Sequence, residues 1–279
     1  MATPDEIRER WSGACGPPDW QTILGDGTFL QHERGRGADQ LFVYGSDTFL
    51  ITSDAGTVLC SVQDPEDARW QRQLLDTVLF SVSFANGFEL LHASAVAVGD
   101  DIVAFVAPSG HGKSSIAVEL ARRGYGVFCD DVLAIGRCEN GLLCHPGPSV
   151  MSVPRSAGIE ACLDGMAITT FAAEDEVWVE LNRATPAPAA LRAVYVLDRA
   201  AESCSVSRLE APTVLDLLPH AISLPHDAER ARGRFELFSA LAGQIRMFHL
   251  AADPTASTGV LGDMVEASRE DLADLVAAS

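Results

Sequence analysis

Lysine is almost absent from this chain of 279 residues: nineteen of its 20 basic residues are arginine and one, Lys113, is lysine. Basic charge of any kind is scarce, since 39 Asp and Glu leave a formal net charge of −19. A surface that acidic excludes broad contact with a nucleic-acid backbone or an anionic membrane, because both repel it. Long apolar runs are also missing: charges or glycines interrupt every stretch well short of the ~20 residues of a membrane span. The opening MATPDEIRERW is charged from its fifth residue, so a cytoplasmic location is expected. Paired cysteines are missing too. Cys15, Cys60, Cys129, Cys138, Cys144, Cys162 and Cys204 form no CxxC pair and have no histidine at zinc spacing, which argues against a disulfide or metal framework. No internal repeat is visible.

What is present is an apolar fraction of 47%, enough for one large core or two unequal ones. Residues 41 to 62, LFVYGSDTFLITSDAGTVLCSV, are short β-prone runs divided by Gly, Asp and Ser, the pattern of an antiparallel meander. Asp64 as a cap and Pro65 at the first helical position predict a helix running from there to Asn86-Gly87. Trp70, Leu74, Leu75, Val78, Leu79 and Val82 recur along it at helical spacing. Leu91 to Val98 and Ile102 to Ala107 read as strands joined by a Gly-Asp-Asp turn. A glycine-containing loop, a helix ending at Gly124 and a strand at Val127-Phe128 complete one βαβ unit, with Asp130-Asp131 at the last strand's end. Further on, AVYVLDR reads as a buried strand, Asp227 to Ala242 as a helix and QIRMFHL as a strand. Ser268 with Asp271 resembles the capping box of a last helix.

The single lysine lies in APSGHGKSS, residues 107 to 115. A phosphate-binding loop needs glycines so that backbone N–H groups converge on an anion, followed by a helix whose positive end faces it. It also needs an ammonium on a long stem to reach the phosphates and a hydroxyl for Mg²⁺. Gly110, Gly112, Lys113 and Ser114 supply these in order, and arginine's rigid fork does not reproduce lysine's point charge. Pro108, Ser109, Gly110, His111, Gly112, Lys113, Ser114 and Ser115 are the candidate nucleotide-binding residues. The general pattern has glycine where this chain has Ala107. Asp130 and Asp131, adjacent at a strand end, point in opposite directions, so one can face Mg²⁺ and the other an incoming nucleophile. His92, in LLHAS, starts the strand before the loop strand; by itself a lone histidine among apolar neighbours is more often a satisfied core residue than a catalyst.

The segments LHASAVAV, APSGHGKSS and GYGVFCDDVLAI, at these spacings, resemble the C-terminal catalytic domain of HPr serine kinase/phosphorylase. They resemble still more its shorter peptide-modifying relatives, the lasso-peptide-type serine kinases. The match covers about residues 88 to 136. It implies an α/β fold with a phosphoenolpyruvate-carboxykinase/HPr-kinase-like P-loop core, over residues 88–279, and a small β-rich N-terminal part over 1–87. It further implies ATP and Mg²⁺, with Asp130 as general base, His92 beside it, Lys113 on the phosphates, and Ser114 and Asp131 at the metal. The second signature of true HPr kinases has no clear copy, since PRSAGIEACLDG occupies its place without matching. The resemblance therefore extends neither to HPr as substrate nor to a reverse phosphorylase activity. Arg246 and Arg155 are candidates, by location, for a cation on the transferring phosphoryl group.

The expected function is an ATP-dependent kinase acting on a serine hydroxyl of a peptide or small protein. Two alternatives stand beside it: a kinase of a small hydroxylated metabolite or free amino acid, and a regulatory module that binds ATP and transfers nothing. Family enzymes often assemble, so a homo-oligomer is an expectation of the resemblance alone.

Overall fold

Alternating apolar residues build the first of two compact units, Met1–Phe88, and the second comprises Glu89–Ser279. The computed structural model describes residues 1–23, 27–67, 69–139, 141–148, 150–154, 167–170, 176–181, 187–222 and 228–268. In the first unit, helix α1 (Pro4–Arg10) is opened by a capping box between Thr3 and Glu6. Strands β1 (Trp20–Ile23), β2 (Phe29–Arg34), β3 (Gln40–Tyr44), β4 (Asp47–Ile51) and β5 (Val58–Ser61) then form an antiparallel sheet in chain order, of which β3 to β5 are the expected meander and β1 and β2 extend it. Its inward residues Phe42, Phe49 and Ile51 pack with Val78.

The helix expected from Pro65 starts later. Asp64 Oδ1 accepts the Glu66 N–H at 3.1 Å and Asp67 Oδ1 accepts that of Arg69 at 3.1 Å. These side-chain acceptors hold the backbone in turns instead of opening a helix at Pro65. Helix α2 (Arg69–Gln73) then leads through a π turn (Leu74–Val78) into α3 (Leu79–Ala85).

The second unit is a mixed α/β fold. Its strands and helices run β6 (Glu89–Leu91), β7 (Ala93–Val98), β8 (Asp101–Val106), α4 (Lys113–Arg122), β9 (Val127–Cys129), β10 (Leu133–Cys138), β11 (Gly141–His145), β12 (Val150–Pro154), β13 (Ala167–Thr170) and β14 (Glu176–Glu180). They continue with β15 (Leu191–Asp198), β16 (Ser205–Arg208), α5 (Val214–Leu217), a 3₁₀ turn (Leu218–His220), β17 (Ala221–Ile222), α6 (Ala228–Ala242), β18 (Arg246–Ala251) and α7 (Thr258–Ala267). The central six-stranded sheet has the order β16-β18-β15-β8-β7-β9, with β18, β15 and β8 parallel.

Both faces of this sheet's inner strands β15, β8 and β7 are covered, so these are largely apolar on both sides. On one face Phe105, Tyr195 and Phe248 stack across three neighbouring strands, with ring centroids 5.6 and 4.9 Å apart. Ile116, Ala117 and Leu120 of α4 and Leu261 and Val265 of α7 belong to the same cluster. On the other face Ala104, Val106, Val194 and Met247 meet Leu237, Phe238 and Leu241 of α6.

The βαβ unit read from the sequence is present, with a strand inserted in it. β8 and β9 are not neighbours, because β7 lies between them and is antiparallel to both. An antiparallel insert brings its first residues to the carboxyl ends of its neighbours: Ala93 pairs with Val106 and Ala95 with Cys129. Ser268, read with Asp271 as the capping box of a last helix, is the last of the described residues. It ends α7, its Oγ donating to the Val265 carbonyl at 2.8 Å and meeting Tyr195 Oη at 2.6 Å, while Ser257 caps the start of that helix. Asp271 lies outside the described residues. Among those described, no helix is long and apolar enough to cross a membrane.

Arg123 ties α4 to α7. Its guanidinium donates to Glu119 at 2.8 Å, Asp263 at 2.8 Å, Glu266 at 2.6 Å and the Gly259 carbonyl at 2.8 Å, with its side chain only 17% exposed. Glu119, 3% exposed, keeps Arg122 as its other partner. Arg123→Ala removes one side of a largely buried network and is expected to cost about 2 kcal/mol in urea denaturation. An unchanged midpoint would show that the clamp carries no stability.

Candidate active site

The loop between β8 and α4 takes its shape from two glycines. Gly110 has φ +78° and Gly112 φ +92°, and a Cβ at either would meet nothing within 4 Å. Backbone conformation, not crowding, therefore demands glycine there. Gly112 is the N-cap of α4 and offers no side-chain cap, so the first N–H groups of the helix are left to the loop. Ala107, the departure from the general pattern, lies in the core beneath α4 at 1% exposure and has no positive φ, so alanine meets no strain there. Pro108, Ser109 and Gly110 are exposed, and His111, Ser114 and Ser115 half-buried. Among the described residues the buried His111 Nδ1 atom has no hydrogen-bond partner.

Lys113, the first residue of α4, is 4% exposed. Its ammonium donates to the Ala107 carbonyl at 3.2 Å and to His92 Nε2 at 2.8 Å. An ammonium has only donors, so Nε2 accepts and the opposite His92 nitrogen, Nδ1, donates to the Asp131 carbonyl at 3.0 Å. Burial pulls the Lys113 pKa down, while the charges of Asp131 and Asp130 oppose the shift. His92 reaches this place because the chain changes sheets there: β6 pairs with β10 and β17, β7 with β8 and β9.

The two aspartates part as expected, and the backbone shows how. Asp131 has φ +60°, and the Val132 N–H donates to the Asp130 carbonyl at 2.7 Å. This is a γ-turn of the strained, positive-φ form, costing on the order of 1–3 kcal/mol. It leaves the Asp131 side chain 43% exposed, with Oδ1 4.0 Å from His92 Nδ1. Asp130 turns inward. Its Oδ1 accepts from Ser94 Oγ at 2.6 Å and Ser114 Oγ at 2.9 Å, and its Oδ2 accepts the Ser152 N–H at 3.1 Å. Burial above all, then the neighbouring Asp131 charge, pushes the Asp130 pKa up to about 7, against the pull of those three hydrogen bonds. His92 is not among the groups bonded to Asp130; it acts on Lys113 and Asp131 instead.

Three participants were not legible in the sequence. Ser94 read as an ordinary strand residue, although a hydroxyl in the apolar run HASAVAV is itself a signal of a buried partner. Ser152 contributes its backbone N–H. His220 lies in the 3₁₀ turn, where its carbonyl accepts the His92 N–H at 2.7 Å, and burial first, then the Lys113 charge, lowers its pKa. No local pattern marks it. Arg246, by contrast, is not brought to the site. It opens β18 and lies level with Ala193, which pairs with Val103, whereas the loop leaves β8 after Val106, at the level of His249. Arg155 lies outside the described residues, as does nearly all of PRSAGIEACLDG.

No family model matches the chain. No curated protein matches it either. Among solved structures it is similar to the Hpr(Ser) kinase/phosphatase from Coxiella burnetii, at 13% identity over 68% of this chain and 95% of that one, with a TM-score of 0.33. At that TM-score the likeness carries no conclusion about fold or activity.

The raised Asp130 pKa has a consequence for stability. The folded state holds this proton up to about pH 7, whereas an unfolded aspartate releases it near ~4. Between those values the native state binds more protons than the unfolded one, so this group's contribution to stability falls as pH rises. Asp130→Asn removes the effect. The stability of the variant relative to wild type is expected to grow by roughly 2–4 kcal/mol between pH 4 and pH 8. A difference that stays constant across that range, by chemical denaturation, would contradict the shift.

Proposed function

We propose that this chain is an ATP-dependent kinase that transfers the γ-phosphoryl group to a serine hydroxyl of a peptide or small protein, a ribosomally made natural-product precursor being the type. The observation that carries the reading is the 2.9 Å hydrogen bond from Ser114 Oγ to Asp130 Oδ1. It joins the hydroxyl that follows the loop lysine to a carboxylate able to take a proton near neutral pH, in the order phosphoryl transfer requires.

The residues fit a nucleotide and its metal. An uncapped helix start, two left-handed glycines and the unpartnered His111 Nδ1 leave polar groups at the loop unsatisfied by the described residues. Residues 108 to 115 would hold the phosphates, with Lys113 as the point charge. Ser114 and the exposed carboxylate of Asp131 would hold Mg²⁺, which supplies charge to offset the phosphate oxygens. Asp130 accepts the proton of the acceptor hydroxyl as its oxygen bonds to the γ-phosphorus and the bond to the β-bridging oxygen of ADP breaks. His92 holds the Lys113 ammonium against the loop and leaves that nitrogen its remaining N–H bond for the nucleotide. The strained turn at Asp131 keeps the two carboxylates apart, so one can serve the metal and the other the nucleophile.

Peptide rather than metabolite as acceptor rests on the resemblance of LHASAVAV, APSGHGKSS and GYGVFCDDVLAI to the peptide-modifying kinases. A module that only bound ATP would have no use for a buried carboxylate held ready to take a proton. The test is transfer from γ-labelled ATP with Mg²⁺ to serine-containing peptides, in competition with free serine. Label on peptide is expected for wild type, and Asp130→Asn is expected to lower kcat by about 10²–10⁴-fold while binding ATP as before. Near-native turnover in Asp130→Asn would remove Asp130 as base. Label on free serine alone would transfer the reading to metabolite kinases.

A further inference from the structure

Ser94 has no place in the mechanism so far, yet it makes the shortest contact at Asp130. It lies in β7 between Ala93 and Ala95, fully buried. A hydroxyl there is costly unless bonded, and its 2.6 Å bond to Asp130 Oδ1 satisfies it. An ionised carboxylate has about four acceptor positions, two on each oxygen. Ser94 and Ser114 occupy both positions on Oδ1, and the Ser152 N–H occupies one on Oδ2. Among the described residues one acceptor position is left, and it is on Oδ2.

We propose that Ser94 is a positioning residue: by holding Oδ1 from β7 it fixes the carboxylate plane of Asp130 so that the remaining position on Oδ2 meets the acceptor hydroxyl. This rests on the kinase reading above. Two serines share Oδ1, but their situations differ. Ser114 stands on the loop helix, where its oxygen is also the candidate metal ligand, so its bond to Asp130 competes with another role. Ser94 is anchored near the start of β7, which is paired to β8 and β9 on its two sides, and it is not a candidate metal ligand. It alone can keep Oδ1 in place throughout a turnover. Without it the carboxylate is free to rotate toward the loop, and the Oδ2 position no longer points at the acceptor. Binding of nucleotide, made by the loop backbone, Lys113 and Ser114, does not depend on that orientation.

The experiment compares wild type with Ser94→Ala, Ser94→Cys and Ser94→Thr in steady-state transfer from γ-labelled ATP to a peptide that wild type phosphorylates. MgATP affinity and thermal midpoint are measured on the same preparations. Ser94→Ala is expected to lower kcat about 10- to 100-fold, with KM for ATP and MgATP affinity within about twofold of wild type. Ser94→Thr, which keeps the hydroxyl, is expected to recover most of the loss. Ser94→Cys keeps the volume with a weak donor, and its kcat decides the question if the alanine variant does not fold. A kcat within about twofold of wild type in Ser94→Ala or Ser94→Cys overturns the inference and leaves the kinase reading standing. A kcat and MgATP affinity that fall together also overturn it, because the residue then only supports the site's structure. Absence of transfer by wild type overturns the kinase reading, and this inference with it.

Discussion

The buried carboxylate of Asp130 joins three separate elements of the second unit. It accepts a hydroxyl from β7, another from the start of α4 and a backbone N–H from β12. Desolvating a carboxylate costs several kcal/mol unless donors surround it, so these contacts are what makes the position tolerable. They also explain why loop, sheet and strand end meet where they do. A substitution at any of the three contacts would change not only a hydrogen bond but the protonation of the group they share.

The same logic governs Lys113. A lysine at 4% exposure survives only with acceptors and nearby negative charge, and it has both: the Ala107 carbonyl, His92 Nε2 and the two aspartates. The antiparallel β7 makes this possible. Because it runs against β8 and β9, its first residues lie at their carboxyl ends, where a parallel strand would place its last ones. His92 and Ser94 thus stand between the glycine loop and Asp130, though the loop follows them in the chain. Together with the strained turn at Asp131, this gives a site in which two positive φ glycines, one positive φ aspartate and two buried charged groups are all held by neighbours.

Much of this was readable beforehand because the signals are local. A glycine pattern followed by lysine and serine, a strand before it and a helix after it, specify the loop from nine residues. The meander of the first unit follows from period-two alternation between turn residues. The parts that were not readable depend on pairing across the chain. Nothing in the sequence says that β7 inserts between β8 and β9, so Ser94 read as an ordinary strand residue; nor does it give the register of β18, which sets Arg246 level with Val103 rather than with the loop. His220 contributes through one carbonyl from a turn more than a hundred residues away. The late start of α2 has a different cause: Asp64 and Asp67 bond to backbone two residues on, and so favour turns where spacing alone suggests helix.

The central claim is that Lys113 serves a bound nucleotide phosphate, and the composition provides a direct probe of it. Since Lys113 is the single lysine of 279 residues, protein grown with ¹⁵N-lysine carries one labelled side-chain nitrogen, and its signal can be followed while MgATP is added. With Lys113 on the phosphates, this one resonance is expected to move and saturate with the nucleotide, and to move less with adenosine, which lacks the phosphates. A resonance that stays in place while MgATP binding is registered calorimetrically would put the nucleotide elsewhere and contradict that claim.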